Sequence, residues 1–178
     1  MEISLNPVPL IDLIESDGEE LNTMLHSFSC EMNKSIESFL HCKAIKQENE
    51  DNARTTLIID DHTGDIVGYF TLLIENFSFT DASNNNRKEL AGSKVATDFN
   101  CILIAKIGRS DKYKYKVEGS EILKAAIYKC SLIKDMTAIK LVCVEYKDEP
   151  KLEEFYKKNG FKQLQRNENG LNIRFLKI

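Results

Sequence analysis

The chain has 178 residues, 42% hydrophobic and 29% charged, with a formal net charge of −4, so residues 1–178 are expected to fold as a single domain around one substantial core. No apolar run approaches the roughly 20 residues that cross a bilayer, and the opening Met1-Glu2-Ile3-Ser4-Leu5 lacks the basic-then-apolar plan of a secretory signal; a cytoplasmic protein with no membrane anchor is expected. Five scattered cysteines (Cys30, Cys42, Cys101, Cys130, Cys143) form no C-x-x-C pair, which argues for buried thiols and against a metal site or a disulfide framework.

Pro7 and Pro9 predict an irregular opening, and Leu10-Ile-Asp-Leu-Ile14 is a short apolar stretch of undecided type. Asp17-Gly18-Glu19-Glu20 predicts a helix start, with Leu21, Met24, Leu25 and Phe28 on its apolar side. Ile36, Phe39, Leu40 and Ile45 predict a second helix over 33–48, whose polar tail from Lys46 to Asn52 frays or loops. Residues 55–60 and 65–74 read as the strands of a hairpin turned at Asp61-His62-Thr63-Gly64. Residues 81–98, rich in Asn, Ser and Gly, predict a long polar loop.

The next stretch organises the chain. Phe99 to Ile107 is apolar with little polar interruption, the pattern of a strand covered on both faces. The loop from Gly108 to Glu118 sets Arg109, Lys112, Lys114 and Lys116 against Asp111 and Glu118. Behind Gly119, Ile122, Leu123, Ala126, Ile127 and Cys130 fall at helical spacing. A strand feeding a helix through a basic loop aims free backbone N–H groups and the positive end of a dipole at one spot, which suits a phosphate. A solvated basic loop between two core elements reads these residues equally well. Residues 138–144 give another buried strand, Pro150 opens a short helix closed by Asn159-Gly160, and residues 161–164 and 171–178 alternate as a closing hairpin. This order predicts a mixed α/β layer structure.

The charge is unevenly spread. Residues 1–60 hold four Lys or Arg against twelve Asp or Glu, whereas residues 101–178 hold seventeen against ten. A cationic C-terminal half suits an anionic ligand such as a nucleotide cofactor or RNA, and charged helix surfaces explain part of it as well.

Four stretches together resemble the GCN5-related N-acetyltransferase (GNAT) family: Ile66-Val-Gly-Tyr-Phe-Thr-Leu72; Ile104-Ala-Lys-Ile-Gly-Arg109 leading to Gly119-Ser-Glu-Ile-Leu123; Leu141-Val-Cys-Val144; and Glu154-Phe-Tyr-Lys-Lys-Asn-Gly-Phe161. The last is the most specific. Phe28-Ser-Cys-Glu-Met-Asn33, with Phe39, Leu40 and Ala44, resembles the branch that includes toxins acetylating aminoacyl-tRNA. The resemblance implies a single-domain fold with a central mixed, mostly antiparallel sheet, splayed between two parallel strands and flanked by helices. It implies acetyl-coenzyme A as cosubstrate and direct attack by a primary amine, whether of a small molecule, a peptide or an aminoacyl-tRNA. Homodimers are common among such proteins.

The resemblance also implies roles for particular residues. The cofactor would lie on Ile107, Gly108 and Arg109 and on the loop residues Lys114, Lys116, Val117, Gly119 and Ser120. Tyr156 would be the general acid that protonates the coenzyme A thiolate, since a phenol holds its proton at neutral pH. The loop departs from the family pattern: Lys114 stands where Gln or Arg is expected, Val117 where Gly is expected, and Glu118 adds a negative charge. That departure opens an alternative, a degenerate, non-catalytic acyl-CoA-binding or interaction module. No general base is assigned; Glu75 and Glu145 sit late in strands near the expected cleft, and His26, His41 and His62 lie outside the core pieces.

Overall fold

The computed structural model describes residues 3–15 and 18–178; Asp17, expected to open a helix, lies outside the described residues. The first half runs β1 (Leu5–Pro9), α1 (Leu10–Ile14), α2 (Gly18–His26), α3 (Lys34–Cys42), α4 (Ala44–Asn49), β2 (Arg54–Asp60), β3 (Ile66–Ser78) and α5 (Asn84–Ala91). The second half runs β4 (Asp98–Arg109), a 3-10 turn at Asp111–Tyr113, α6 (Gly119–Thr137), β5 (Leu141–Tyr146), α7 (Pro150–Lys158), β6 (Lys162–Arg166) and β7 (Asn172–Lys177). The strands are hydrogen-bonded in the order β1-β2-β3-β4-β5-β7-β6. Among the described residues β4 and β5 form the one parallel pair in an otherwise antiparallel sheet. Their register consists of Ile102↔Val142 and Leu103↔Cys143. Beyond it β5 continues to Tyr146 bonded to β7 without β4, which is the splay expected of this sheet.

The described residues form two compact units. The first comprises residues 1–73 and 106–126. Its core gathers Leu10, Leu21, Leu25, Phe28, Ile36, Leu40, Ala44, Leu57, Ile66 and Tyr69, which removes the apolar faces of α2 and α3 from water and supplies the main stabilising term. The Tyr69 hydroxyl, buried with its ring, donates to the Ile36 carbonyl at 2.6 Å. Two glycines permit the close packing. A Cβ on Gly108 would meet Ile36 Cγ2 at 2.4 Å, and one on Gly68 would meet the Gly108 carbonyl oxygen at 2.6 Å.

The second unit comprises residues 74–105 and 127–178. Cys101, Ile102, Cys130, Leu141, Val142, Cys143, Val144, Ile173 and Phe175 are buried in it. Arg174 is buried too, and its guanidinium donates to the Tyr146 hydroxyl and the Phe161 carbonyl and pairs with Glu153. That set of partners is what makes a buried cation tolerable.

Three local expectations differ from the structure. The prolines near the start sit in β1, an edge strand, where a missing N–H leaves no ladder bond unmade. The single helix over 33–48 is two, broken at Lys43 (φ −125°), and its polar tail is ordered because the buried Glu48 carboxylate accepts the Thr55 N–H and pairs with Arg54. The polar loop over 81–98 contains α5, started by Ser83 accepting from the Asn86 N–H and ended by Gly92 at φ 79°. No helix of the described residues is long and apolar enough to cross a membrane.

Candidate functional site

The loop after β4 is pinned at its base. Ser110 N–H donates to the Val67 carbonyl, and Asp111 N–H to the Ser29 carbonyl at 2.9 Å. The Asp111 carboxylate in turn accepts the Glu31 N–H at 2.7 Å, so one residue clasps the α2–α3 connection twice. Tyr113 is buried, with its hydroxyl 3.2 Å from Asp60, from Asp65 and from the Thr63 hydroxyl. Its one proton is shared between the two carboxylates. Lys112 pairs with Asp65, and this bond is the first cause holding the Asp65 carboxyl below its ordinary value, followed by Thr63.

From this anchor the chain turns tightly into α6. Lys116 and Val117 both donate their N–H to the Tyr113 carbonyl at 3.0 Å, and Arg109 Nη1 donates to the Val117 carbonyl at 2.7 Å. Val117 has a negative φ and a buried side chain. The N–H groups of Glu118, Gly119 and Ser120 take no partner among the described residues. They open a 19-residue helix, whose dipole adds to their positive potential. Lys114 and Lys116 are exposed and lack a carboxylate partner among the described residues, in contrast to Lys112. The result is a set of free donors and cations that suits an anion, opposed by the exposed Glu118 and by Glu121 in the first turn of α6. Ile107, Gly108 and Arg109 complete β4 as half-buried residues.

Tyr156 lies in the second unit, on α7, which Pro150 opens and whose C-cap Asn159 donates its side-chain N–H back to the Phe155 carbonyl. The Tyr156 ring is 5% exposed and packs against Tyr146, Phe155 and Phe161 at centroid distances of 5.3, 5.2 and 5.6 Å. Burial, then the neighbouring Tyr146, pushes its phenol upward. Four tyrosines are buried: Tyr69, Tyr113, Tyr146 and Tyr156. The first three have committed hydroxyls; that of Tyr156 has no hydrogen-bond partner among the described residues.

Glu145 is half-buried and accepts a hydrogen bond from Asn167. Burial raises its carboxyl, Asn167 opposes that, and the charge of Glu75 adds to the rise. Cys101 and Cys143 are buried, and the neighbouring Cys143 thiol together with burial raises the Cys101 thiol, the state of a packed thiol and not of a nucleophile. The clasp at Asp111 and the Asp60–Asp65–Tyr113 cluster were not visible in the sequence, where Glu31 stands 80 residues from Asp111, and Asp60 and Asp65 stand 53 and 48 residues from Tyr113.

The mixed sheet with its one parallel pair, flanked by helices, matches the fold of GCN5-related N-acetyltransferase toxins. No family model matches the sequence. Among solved structures, the chain resembles AtaT complexed with acetyl-methionyl-tRNAfMet (TM-score 0.76, 19% identity, 98% of this chain and 95% of that one). It also resembles a tyrosine-to-phenylalanine mutant of the AtaT toxin bound to the C-terminus of the antitoxin AtaR and acetyl-CoA (TM-score 0.73, 18% identity, 97% and 92%). A tyrosine-to-phenylalanine mutant of KacT is a third (TM-score 0.75, 17% identity, 97% and 94%).

Proposed function

We propose that this chain is an acetyl-coenzyme A-dependent N-acetyltransferase that acts on a primary amine, with Tyr156 as the acid for the leaving thiolate. The observation that carries this reading is the uncommitted Tyr156 hydroxyl on a buried ring, in a fold shared with a toxin solved with acetyl-CoA. The residues after β4 fit the cofactor's pyrophosphate. The N–H groups of Glu118, Gly119 and Ser120 would hold it, Lys114 and Lys116 would add positive charge for the cofactor's other phosphate, and the ends of Ile107, Gly108 and Arg109 would meet the pantetheine. Val117 departs from the family's glycine, but its N–H is engaged by Tyr113, so the cradle begins one residue later.

Bound acetyl-coenzyme A supplies an activated acyl thioester. The chain's part is to position that thioester and to manage one proton. Tyr156 keeps its proton at neutral pH because burial disfavours the phenolate. As the amine forms its bond to the acyl carbon and the carbon–sulfur bond breaks, the phenol gives its proton to the departing sulfur, and the proton that the amine releases to solvent is balanced by one that the phenolate takes back.

A second reading concerns the acceptor. The complex of AtaT with acetyl-methionyl-tRNAfMet, together with the unpaired Lys114 and Lys116, favours the α-amine of an aminoacyl-tRNA. The test is to incubate the protein and acetyl-coenzyme A with small amines, peptides and aminoacyl-tRNA, and to look for acetylated product by mass spectrometry. An acetylated acceptor is expected. Absence of product with every acceptor, together with absence of coenzyme A binding, would replace the enzyme reading with a non-catalytic interaction module.

A further inference from the structure

Tyr115 is 92% exposed, more than any other large hydrophobic residue among the described ones. A ring placed wholly in water contributes nothing to the core, and its position is nevertheless well fixed. The turn around it is closed by the Lys114 N–H on the Asp111 carbonyl and by the Lys116 and Val117 N–H groups on the Tyr113 carbonyl. Tyr113 is itself tied to Asp60 and Asp65. The Lys114 ammonium lies 5.7 Å from the Tyr115 ring centroid, over one face, and the other face is open. The Lys116 ammonium stands 5.5 Å from the Tyr113 ring centroid. An open aromatic face with one unpaired cation over its other side, and a second on the next residue, is a stacking platform for a nucleobase that carries phosphate. Three residues onward begin the free N–H groups of Glu118, Gly119 and Ser120.

We infer that Tyr115 stacks on the adenine ring of coenzyme A, with Lys114 and Lys116 attracting the phosphate on its ribose. This rests on the acetyl-coenzyme A reading above. Adjacency decides the assignment: adenine is joined through one ribose to the pyrophosphate that the 118–120 cradle suits, and Tyr115 stands in the same tight turn, three residues before that cradle.

The test is calorimetric titration of coenzyme A, 3′-dephospho-coenzyme A and 4′-phosphopantetheine into the wild type, Tyr115→Ala, Tyr115→Phe and a Lys114→Gln/Lys116→Gln double variant. Because Tyr115 touches no core, its variants fold. Tyr115→Ala is expected to weaken coenzyme A about tenfold, to leave phosphopantetheine unchanged, and to be rescued by Tyr115→Phe. The double variant is expected to weaken coenzyme A more than its dephospho form. Unchanged coenzyme A affinity in Tyr115→Ala overturns the assignment and leaves the acetyl-coenzyme A reading standing; if uncharged tRNA binding falls instead, the ring serves an RNA base. An equal loss for phosphopantetheine also overturns it, because the substitution then acts through the loop. If the wild type binds no coenzyme A, both readings fall together.

Discussion

Arg109 holds the loop by its backbone: its guanidinium donates to the Val117 carbonyl at 2.7 Å. The last residue of β4 thereby fixes the approach to α6, where the N–H groups of residues 118–120 are left free. The side chain acts on the loop, and any contact of Arg109 with a ligand is left to its main chain.

Arg109→Gln removes the charge and the fork while keeping a donor. A charge-assisted bond of this kind contributes about 1.5–3 kcal/mol when buried and less when half-exposed, as here. The expected outcome is about tenfold weaker binding of coenzyme A by calorimetry, with the unfolding midpoint little changed. An unaltered affinity would show that the loop holds its form without this bond.

Val117 stands where the family pattern has glycine, and steric exclusion of a phosphate was one consequence to expect. Its negative φ and buried side chain give the residue a packing role instead. Val117→Gly should therefore lower stability by about 1–3 kcal/mol, from lost burial and added freedom in the unfolded chain. Coenzyme A should bind no more tightly. Urea unfolding and titration check the two halves of this statement, and tighter binding would restore the steric account.

These two residues mark how far the sequence could be read. The strand, basic loop and helix from Phe99 to Thr137 announce themselves through an unbroken apolar run and then a helical stripe, both local signals. The helix α7 is legible because Pro150 opens it and Asn159-Gly160 closes it, and the role proposed for Tyr156 came from the pattern of its neighbours there. The interior of the loop was not legible, since its shape comes from Tyr113 reaching Asp60 and Asp65, and from Asp111 reaching Ser29 and Glu31. Such pairs leave no periodicity behind. The β1 strand was hidden by prolines that its edge position tolerates, and α5 by a composition, Asn84 to Asn86, with poor helix propensity. The function of Tyr115 left no mark until exposure and the position of Lys114 were known.

The carboxyl of Glu145 gives a pH signature. Its folded-state proton affinity is raised above the ordinary 4.5 by burial and then by Glu75, against the opposing Asn167 bond. The folded chain thus binds this proton more tightly than the unfolded one. Stability must fall as pH rises from the ordinary value through the raised one, and level off above it. Glu48 is raised in the same sense, so the wild type alone is not diagnostic. Glu145→Gln should flatten its share of the slope and leave the protein more stable than wild type at neutral pH. Urea unfolding from about pH 4 to 7 checks this, and parallel curves for the two proteins would contradict it.

The central claim is that Tyr156 delivers a proton during acetyl transfer from coenzyme A. The most direct measurement is titration of acetyl-coenzyme A into wild type and Tyr156→Phe, followed by thiol release from both in the presence of an acceptor amine. The substitution keeps the ring that packs against Tyr146, Phe155 and Phe161 and removes only the free hydroxyl. The account predicts affinities within about threefold of each other and thiol release slower by roughly 10²-fold or more in the variant. Equal rates, or no binding by the wild type at millimolar ligand, would contradict it.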